Sequence, residues 1–315
     1  MRLYILLVNL IVITSASNDY EQWEQFKIKF SRNFSLTEEE FRFEIFQNNL
    51  RKIEEHNVKY EKGEVSYFLK VTDFADWTSE EYRSMLQTQQ SMEPKVNPIG
   101  TFKSEYDFIR PDSIDWREKG AVLDVKQQGN CGSGWAFSTT GALEAQLAIH
   151  RNLRIPLSEQ ELVSCVAVNY GCSGGWLGAT LQYVHSHGLS SSEQYPYTAT
   201  DGTCREDLTN KTIDTIQGYV ILDKDEEAIA DAVGSVGPVS VYANANYWSL
   251  YGGGIFDNSD CNNDYNHGVL ITGYDQESWT IKNSLGPDWG ENGYIRLVRG
   301  KDQCGITVYP IYPVL

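Results

Sequence analysis

Apolar positions along this chain change from helical spacing to alternating spacing, and that change sets its organisation. Leu3 to Ile13 form an apolar run broken by Asn9 and followed by Ser15, Ala16 and Ser17. The run is too short to cross a bilayer, so it predicts a cleaved secretory leader over 1–17. Trp23, Phe26 and Phe30 then recur at steps of three and four, which predicts a helix with an aromatic stripe within 19–34. Thr37 precedes a run of glutamates with Glu40 three positions on, the pattern of a capping box opening a long helix. Residues 88–108 are polar, carry Pro94, Pro98 and Gly100, and show no sustained period, so they read as a linker.

Beyond the linker, Ser133 is placed to cap a helix from Gly134 to about His150, with Trp135, Ala142 and Ile149 on one face. A short helix follows at 157–163, then a turn-rich loop at 171–175. The second half reads differently. Segments 236–242, 268–274, 279–282 and 293–298 are short apolar or alternating runs separated by glycines, as in antiparallel strands. Helices first and strands second predict an α+β protein with two lobes.

The 41 % hydrophobic and 12 % aromatic content is that of a core-forming chain, not a disordered one. A net charge of -17 opposes binding to nucleic acid or to anionic membranes, because phosphate would be repelled. In a secreted chain the six cysteines, an even number, are expected in disulfides, and their spacing alone leaves every pairing open. No paired-cysteine spacing with histidines suggests zinc, and neither a metal nor a cofactor is expected.

The segment Gln128-Gly129-Asn130-Cys131-Gly132-Ser133-Gly134-Trp135-Ala136-Phe137-Ser138 resembles the nucleophile segment of papain-like cysteine proteases of the cathepsin L type. In that family a cysteine stands where this chain has Gly134. Upstream, the spacing Glu38, Arg42, Phe46, Asn49, Ile53, Asn57 resembles the propeptide signature of cathepsin L-like zymogens. Lys70-Val71-Thr72-Asp73-Phe74-Ala75-Asp76 is similar to a second propeptide motif, keeping Phe74 and Asp76 but carrying Lys70 and Thr72 in place of glycine and asparagine. The resemblance implies a two-lobed papain-like fold, a helical lobe plus an antiparallel β-barrel-like lobe, behind a helical inhibitory propeptide. The implied divisions are 1–17 leader, 18–105 propeptide and 106–315 peptidase body. It also implies the pairings Cys131–Cys172, Cys165–Cys204 and Cys261–Cys304.

Papain-like catalysis needs a thiolate, a histidine beside it, an asparagine orienting the ring and a glutamine at the oxyanion. The resemblance assigns His267, Asn283 and Gln128 to the last three roles, and Gly134 to the first, which glycine cannot fill. Substrate-lining positions implied by the family are Gly174, Gly175, Trp176, Tyr242, Tyr309 and Trp289. Two further departures accompany Gly134. Leu285 replaces the tryptophan that shields the histidine–asparagine bond, and Tyr242 with Tyr309 bring large rings to the main specificity pocket. Gly134 retains a backbone N–H, so a carbonyl site beside Gln128 is expected to persist.

These residues point to a secreted or lysosomal cathepsin L-like homologue without peptidase activity that keeps a peptide-binding cleft. Its implied partners are its own propeptide, peptides or protein ligands in the cleft, and cystatin-type inhibitors. Two other readings stand beside it: an active endopeptidase that carries glycine here through engineering or a sequence error, and a storage protein that uses the fold for stability. Asn33 and Asn210 lie in glycosylation sequons, and the acidic run 223–227 reads as a solvated turn or helix start.

Overall fold

The computed structural model describes residues 18–86, 96–103, 108–209, 213 and 215–315. The expected leader, the boundary between 105 and 106 and the sequon at Asn210 lie outside the described residues. Asn33 is exposed.

The first helix, α1, covers 18–29 and turns its aromatic stripe inward. Trp23 stacks on Phe26 at 5.5 Å and on Phe34 at 5.9 Å, and packs against Phe46 of α2 (Leu36–Glu61) at 5.2 Å. The capping residue of α2 is Ser35, whose hydroxyl accepts from the Glu38 N–H, and not Thr37. Two serine/threonine-x-x-glutamate patterns overlap here, and the chain turns at the earlier one. Arg42 makes its close ion pair with Glu81 at 2.8 Å, whereas its i,i+4 partner Glu38 lies at 3.8 Å. Asn49 is buried because its amide donates to the carbonyls of Ala75 and Trp77, and Asn57 both donates to and accepts from the Leu69 backbone. The propeptide-like spacing thus places side chains that tie α2 to the extended stretch β1 (Tyr67–Leu69) and the turn before α3 (Ser79–Leu86).

After β2 (Gly100–Thr101) and β3 (Ile114–Asp115), the body opens with α4 (Gly134–Arg151), α5 (Glu159–Cys165) and α6 (Leu177–His187). Their buried faces share a core containing Trp135, Leu143, Leu147, Leu162, Trp176 and Leu181. The sheet then adds β4 (Gly218–Ile221), β5 (Val239–Ala243), β6 (Tyr251–Phe256), β7 (His267–Tyr274), β8 (Ser278–Lys282), β9 (Tyr294–Val298) and β10 (Ile311–Val314). Among the described residues its order is β1-β6-β9-β8-β7-β5-β10-β4-β2, with β3 against β7. Most pairings are antiparallel; β6 with β9 and β2 with β4 are parallel.

The expected strand at 236–242 begins three residues later, because Val236 ends α7 (Glu226–Ser235) and Gly237, with φ +143°, makes the turn. The acidic run is a helix start, as read, yet not simply solvated. Asp225 caps α7 through the Ala228 N–H, and Glu226 accepts from the Trp279 indole at 3.0 Å and from Gly300 N–H at 2.6 Å. Helical lobe and sheet meet along α4 and β7, where Ser138 donates to the Val269 carbonyl at 2.6 Å and Ser240 donates to the Ser138 carbonyl at 2.9 Å. Gly268 permits this approach: a β-carbon there would lie 2.8 Å from the Trp135 α-carbon. The disulfides are Cys131–Cys172, Cys165–Cys204 and Cys261–Cys304.

Candidate active site

The site forms where the first turn of α4 faces the first residue of β7. Gly134 opens α4 and the Cys131–Cys172 disulfide pins the loop before it. Ser133 occupies the cap position, but its hydroxyl makes no capping bond, contrary to the sequence expectation. It lies 2.6 Å from the Tyr197 hydroxyl, which donates to the Gln128 carbonyl at 2.8 Å. Burial pushes the Tyr197 phenol up to about 12, so it stays protonated and able to donate.

His267 is fully buried. Its Nε2 is 2.8 Å from Asn283 Oδ1, which also accepts the Ser284 N–H at 2.8 Å. An oxygen already receiving a backbone N–H is an acceptor, so Nε2 carries the ring hydrogen and Nδ1 presents a lone pair. That nitrogen has no hydrogen-bond partner among the described residues. Burial pulls the imidazole pKa down to about 4, against the upward effect of the Asn283 bond, leaving the ring neutral near pH 7.

The ring also occupies the space above α4. A β-carbon built on Gly134 would stand 2.5 Å from both Nδ1 and Cε1 of His267, and 3.0 Å from the Gly268 carbonyl oxygen. Contacts that short do not occur between real atoms, so any side chain at 134 requires the imidazole to move. Gln128 is equally enclosed. Its amide nitrogen donates to the Cys131 carbonyl at 2.8 Å, and its oxygen accepts from the Ser284 hydroxyl at 2.7 Å. One of its two N–H hydrogens is thus used internally. Leu285 is buried beside Asn283, whose side-chain nitrogen lacks a partner among the described residues.

The positions expected to line a substrate groove separate into two groups. Tyr242 is buried, and its hydroxyl accepts from the Leu177 N–H at 2.8 Å and donates to the Gly175 carbonyl at 3.0 Å. It thereby serves α6 as the cap that Trp176 cannot supply. Tyr265 stacks on it at 5.1 Å, Tyr309 lies at 6.2 Å, and Trp176 meets it edge-on at 6.4 Å. Gly174 turns the preceding loop with φ +118°. Trp289 sits elsewhere: it is buried, donates to the Trp248 carbonyl at 3.0 Å and packs on Tyr251.

A charged cluster behind the site escaped the sequence reading. Lys126 reaches Glu144 at 2.7 Å and Glu159 at 2.6 Å, and Thr140 donates to Glu159 at 2.6 Å. Burial pushes the Glu159 carboxyl up against the pull of Lys126. With Lys282 and Asn283 this cluster lines a cavity of about 20 Å³ beneath the site. Its members come from the loop before α4, from α4 and α5 and from the end of β8, far apart in sequence, so no local motif announces them. Tyr197, Tyr265 and Ser284 were missed for the same reason, although Ser284 stands in the same Lys-Asn-Ser run as Asn283.

Residues 110–314 match the family described as papain family cysteine protease, and 23–82 match the cathepsin propeptide inhibitor domain. The chain belongs to the papain family. A cathepsin L-like proteinase of Phaedon cochleariae is 43 % identical over the full length of both chains. Procathepsin L of Mus musculus is 37 % identical over 93 % of this chain and 92 % of its own. Digestive procathepsin L 3 from the larval midgut of Tenebrio molitor superposes with a TM-score of 0.87 at 41 % identity, covering 94 % of this chain and 99 % of that one. The papain-like α+β fold behind a helical propeptide region is therefore that of this chain.

Proposed function

We propose that this cathepsin L-like member of the papain family is a secreted or lysosomal homologue without peptidase activity, whose body retains a polypeptide-binding face. The observation that carries the proposal is the His267 ring in the volume over Gly134. Acyl transfer by this family's chemistry requires a sulfur that attacks a carbonyl and a base in contact with it. Neither condition is met by what surrounds the ring. Cys131 is committed to its disulfide with Cys172, and the Ser133 hydroxyl faces Tyr197. There is no free cysteine among the described residues. Loss of a covalent nucleophile costs about a millionfold in turnover where it has been isolated in other hydrolases.

Binding is a separate property. Tyr242 fills the place where the family's specificity pocket would take a side chain, and its hydroxyl holds Gly175 and Leu177, so a ligand engages this face without that anchor. A polypeptide that the body holds is the chain's own propeptide region. Secretion is supported by the disulfides and by the leader-like start of the sequence. No helix among the described residues is long and apolar enough to cross a membrane. The test is treatment of purified protein with a thiol-directed covalent inhibitor, read by intact mass, alongside hydrolysis of fluorogenic peptides at mildly acidic pH. No adduct and no turnover are expected, whereas inhibitor-sensitive turnover would refute the proposal.

A further inference from the structure

We infer that segment 18–86 is a permanent, non-covalently held subunit of this protein, staying on the body after the linker is cut and at acidic pH. This rests on the absence of peptidase activity, since an active body would digest the segment. The surface is the one presented by β6 and the turn containing Gly290. Tyr67, Phe74, Tyr82, Met85 and Leu86 are buried in the same apolar cluster as Trp248, Tyr251, Phe256 and Trp289, so segment and body share one core. Separating them would expose aromatic surface on both sides.

The polar seam is made almost wholly of groups that do not change charge between neutral and acidic pH. β1 pairs antiparallel with β6, Lys70 N–H donates to the Leu250 carbonyl at 2.9 Å, and Ile255 N–H donates to the Ser66 carbonyl at 2.9 Å. Ser66 and Thr72 hydroxyls donate to the carbonyls of Ile255 and Ser249, each at 2.6 Å. Lys70, standing where the resembling motif has glycine, donates its ammonium to the Gly290 carbonyl at 2.6 Å. A glycine could not make that bond. The charged or titratable groups facing Lys70 are Lys29, Asp288 and Glu291, and those facing Tyr67 are Asp257, Asp260 and, from within the segment, His56, whose Nε2 lies 2.9 Å from the Tyr67 carbonyl oxygen and whose ring meets the Tyr67 ring at 4.4 Å. Among the described residues, carboxylates cross the seam in two contacts, Asp73 with Gln127 at 3.1 Å and the exposed pair Asp288 with Lys29 at 3.4 Å. Both contacts are peripheral, and without them the core, the strand pairing and the Lys70 bond stay in place. Asp76 bonds Arg32 within the segment, so its protonation loosens the segment internally and not its seat.

The experiment uses the full chain with a site-specific protease sequence inserted between Leu86 and Val96. After complete cutting, light scattering with size exclusion at pH 7 and pH 4 should return one complex of both pieces at micromolar concentration. Lys70→Gly should raise the rate of segment loss at least tenfold at both pH values, and Lys70→Met, which keeps the apolar stem, should raise it as well. Separation of an intact segment from wild-type body at pH 4, with no hydrolysis of added fluorogenic peptide, would overturn permanent retention alone. Degradation of the segment together with peptide hydrolysis would overturn the inactive reading on which it rests. Unchanged segment loss in Lys70→Gly would overturn the part assigned to the lysine.

Discussion

Gly134→Ala adds a single methyl at the start of α4 and measures directly whether His267 has settled into the nucleophile's place. Helix propensity favours alanine over glycine by up to about 1 kcal/mol. Against this, the new β-carbon would lie 2.5 Å from Nδ1 and Cε1 of a fully buried ring whose Nε2 is held by Asn283. Overpacking of this kind costs about 1–3 kcal/mol. At the middle of that range the clash wins by about 1 kcal/mol, a fall of about 2–4 °C in Tm. Denaturant titration of Gly134→Ala, His267→Ala and the double variant isolates the contact, because a coupling energy of about 1 kcal/mol or more is expected between residues that touch. In the His267→Ala background the same methyl should be neutral or stabilising. If Gly134→Ala is neutral in the wild-type background and the coupling is near zero, the ring does not fill that space and the reasoning fails.

Other consequences can be checked with equal directness. Burial holds His267 at about 4 against 6.5 for the unperturbed ring, so between those values the unfolded chain binds a proton that the fold refuses. Stability from this group is whole above pH 6.5 and falls by up to about 3 kcal/mol as pH drops through the window; His267→Gln should flatten that slope in denaturation curves taken from pH 7 to pH 4. Tyr242→Phe leaves the Leu177 N–H and the Gly175 carbonyl without their shared partner and should cost about 1–3 kcal/mol; an unchanged midpoint would show that the hydroxyl does not cap α6. Asn49→Ala orphans the carbonyls of Ala75 and Trp77 and should destabilise the propeptide region by about 2 kcal/mol, seen as earlier protection loss in hydrogen exchange confined to 18–86.

Much of the fold was legible because its cues are local. The aromatic steps of Trp23, Phe26 and Phe30, the apolar face of α4 and the alternation around β7 and β8 each follow from a period that a short window contains. Strands β4, β6 and β10 gave no such cue: Gly252, Gly253 and Gly254 interrupt β6, and Pro313 sits inside β10. At the site, the residue types at 128, 134, 267 and 283 were readable from motif resemblance, as were the large rings at Tyr242 and Tyr309. The position of the His267 ring was not, because it depends on how the space left by a missing side chain is shared out in three dimensions. For the same reason the partners of Gln128, the Cys131 carbonyl and the Ser284 hydroxyl, were not legible in the sequence. Lys70 and Thr72 were legible as departures from a docking motif but their partners were not, because each reaches a carbonyl of the body that lies about two hundred residues away in sequence.

The most direct test of the central claim is turnover of a fluorogenic peptide by wild-type protein beside Gly134→Cys, at pH 5, before and after the chain is cut between Leu86 and Val96. Wild-type protein should show no rate above buffer, and Gly134→Cys, whose sulfur must displace the His267 ring, should recover only a small fraction of a working family member's activity. Wild-type turnover that survives purification to homogeneity would contradict the account.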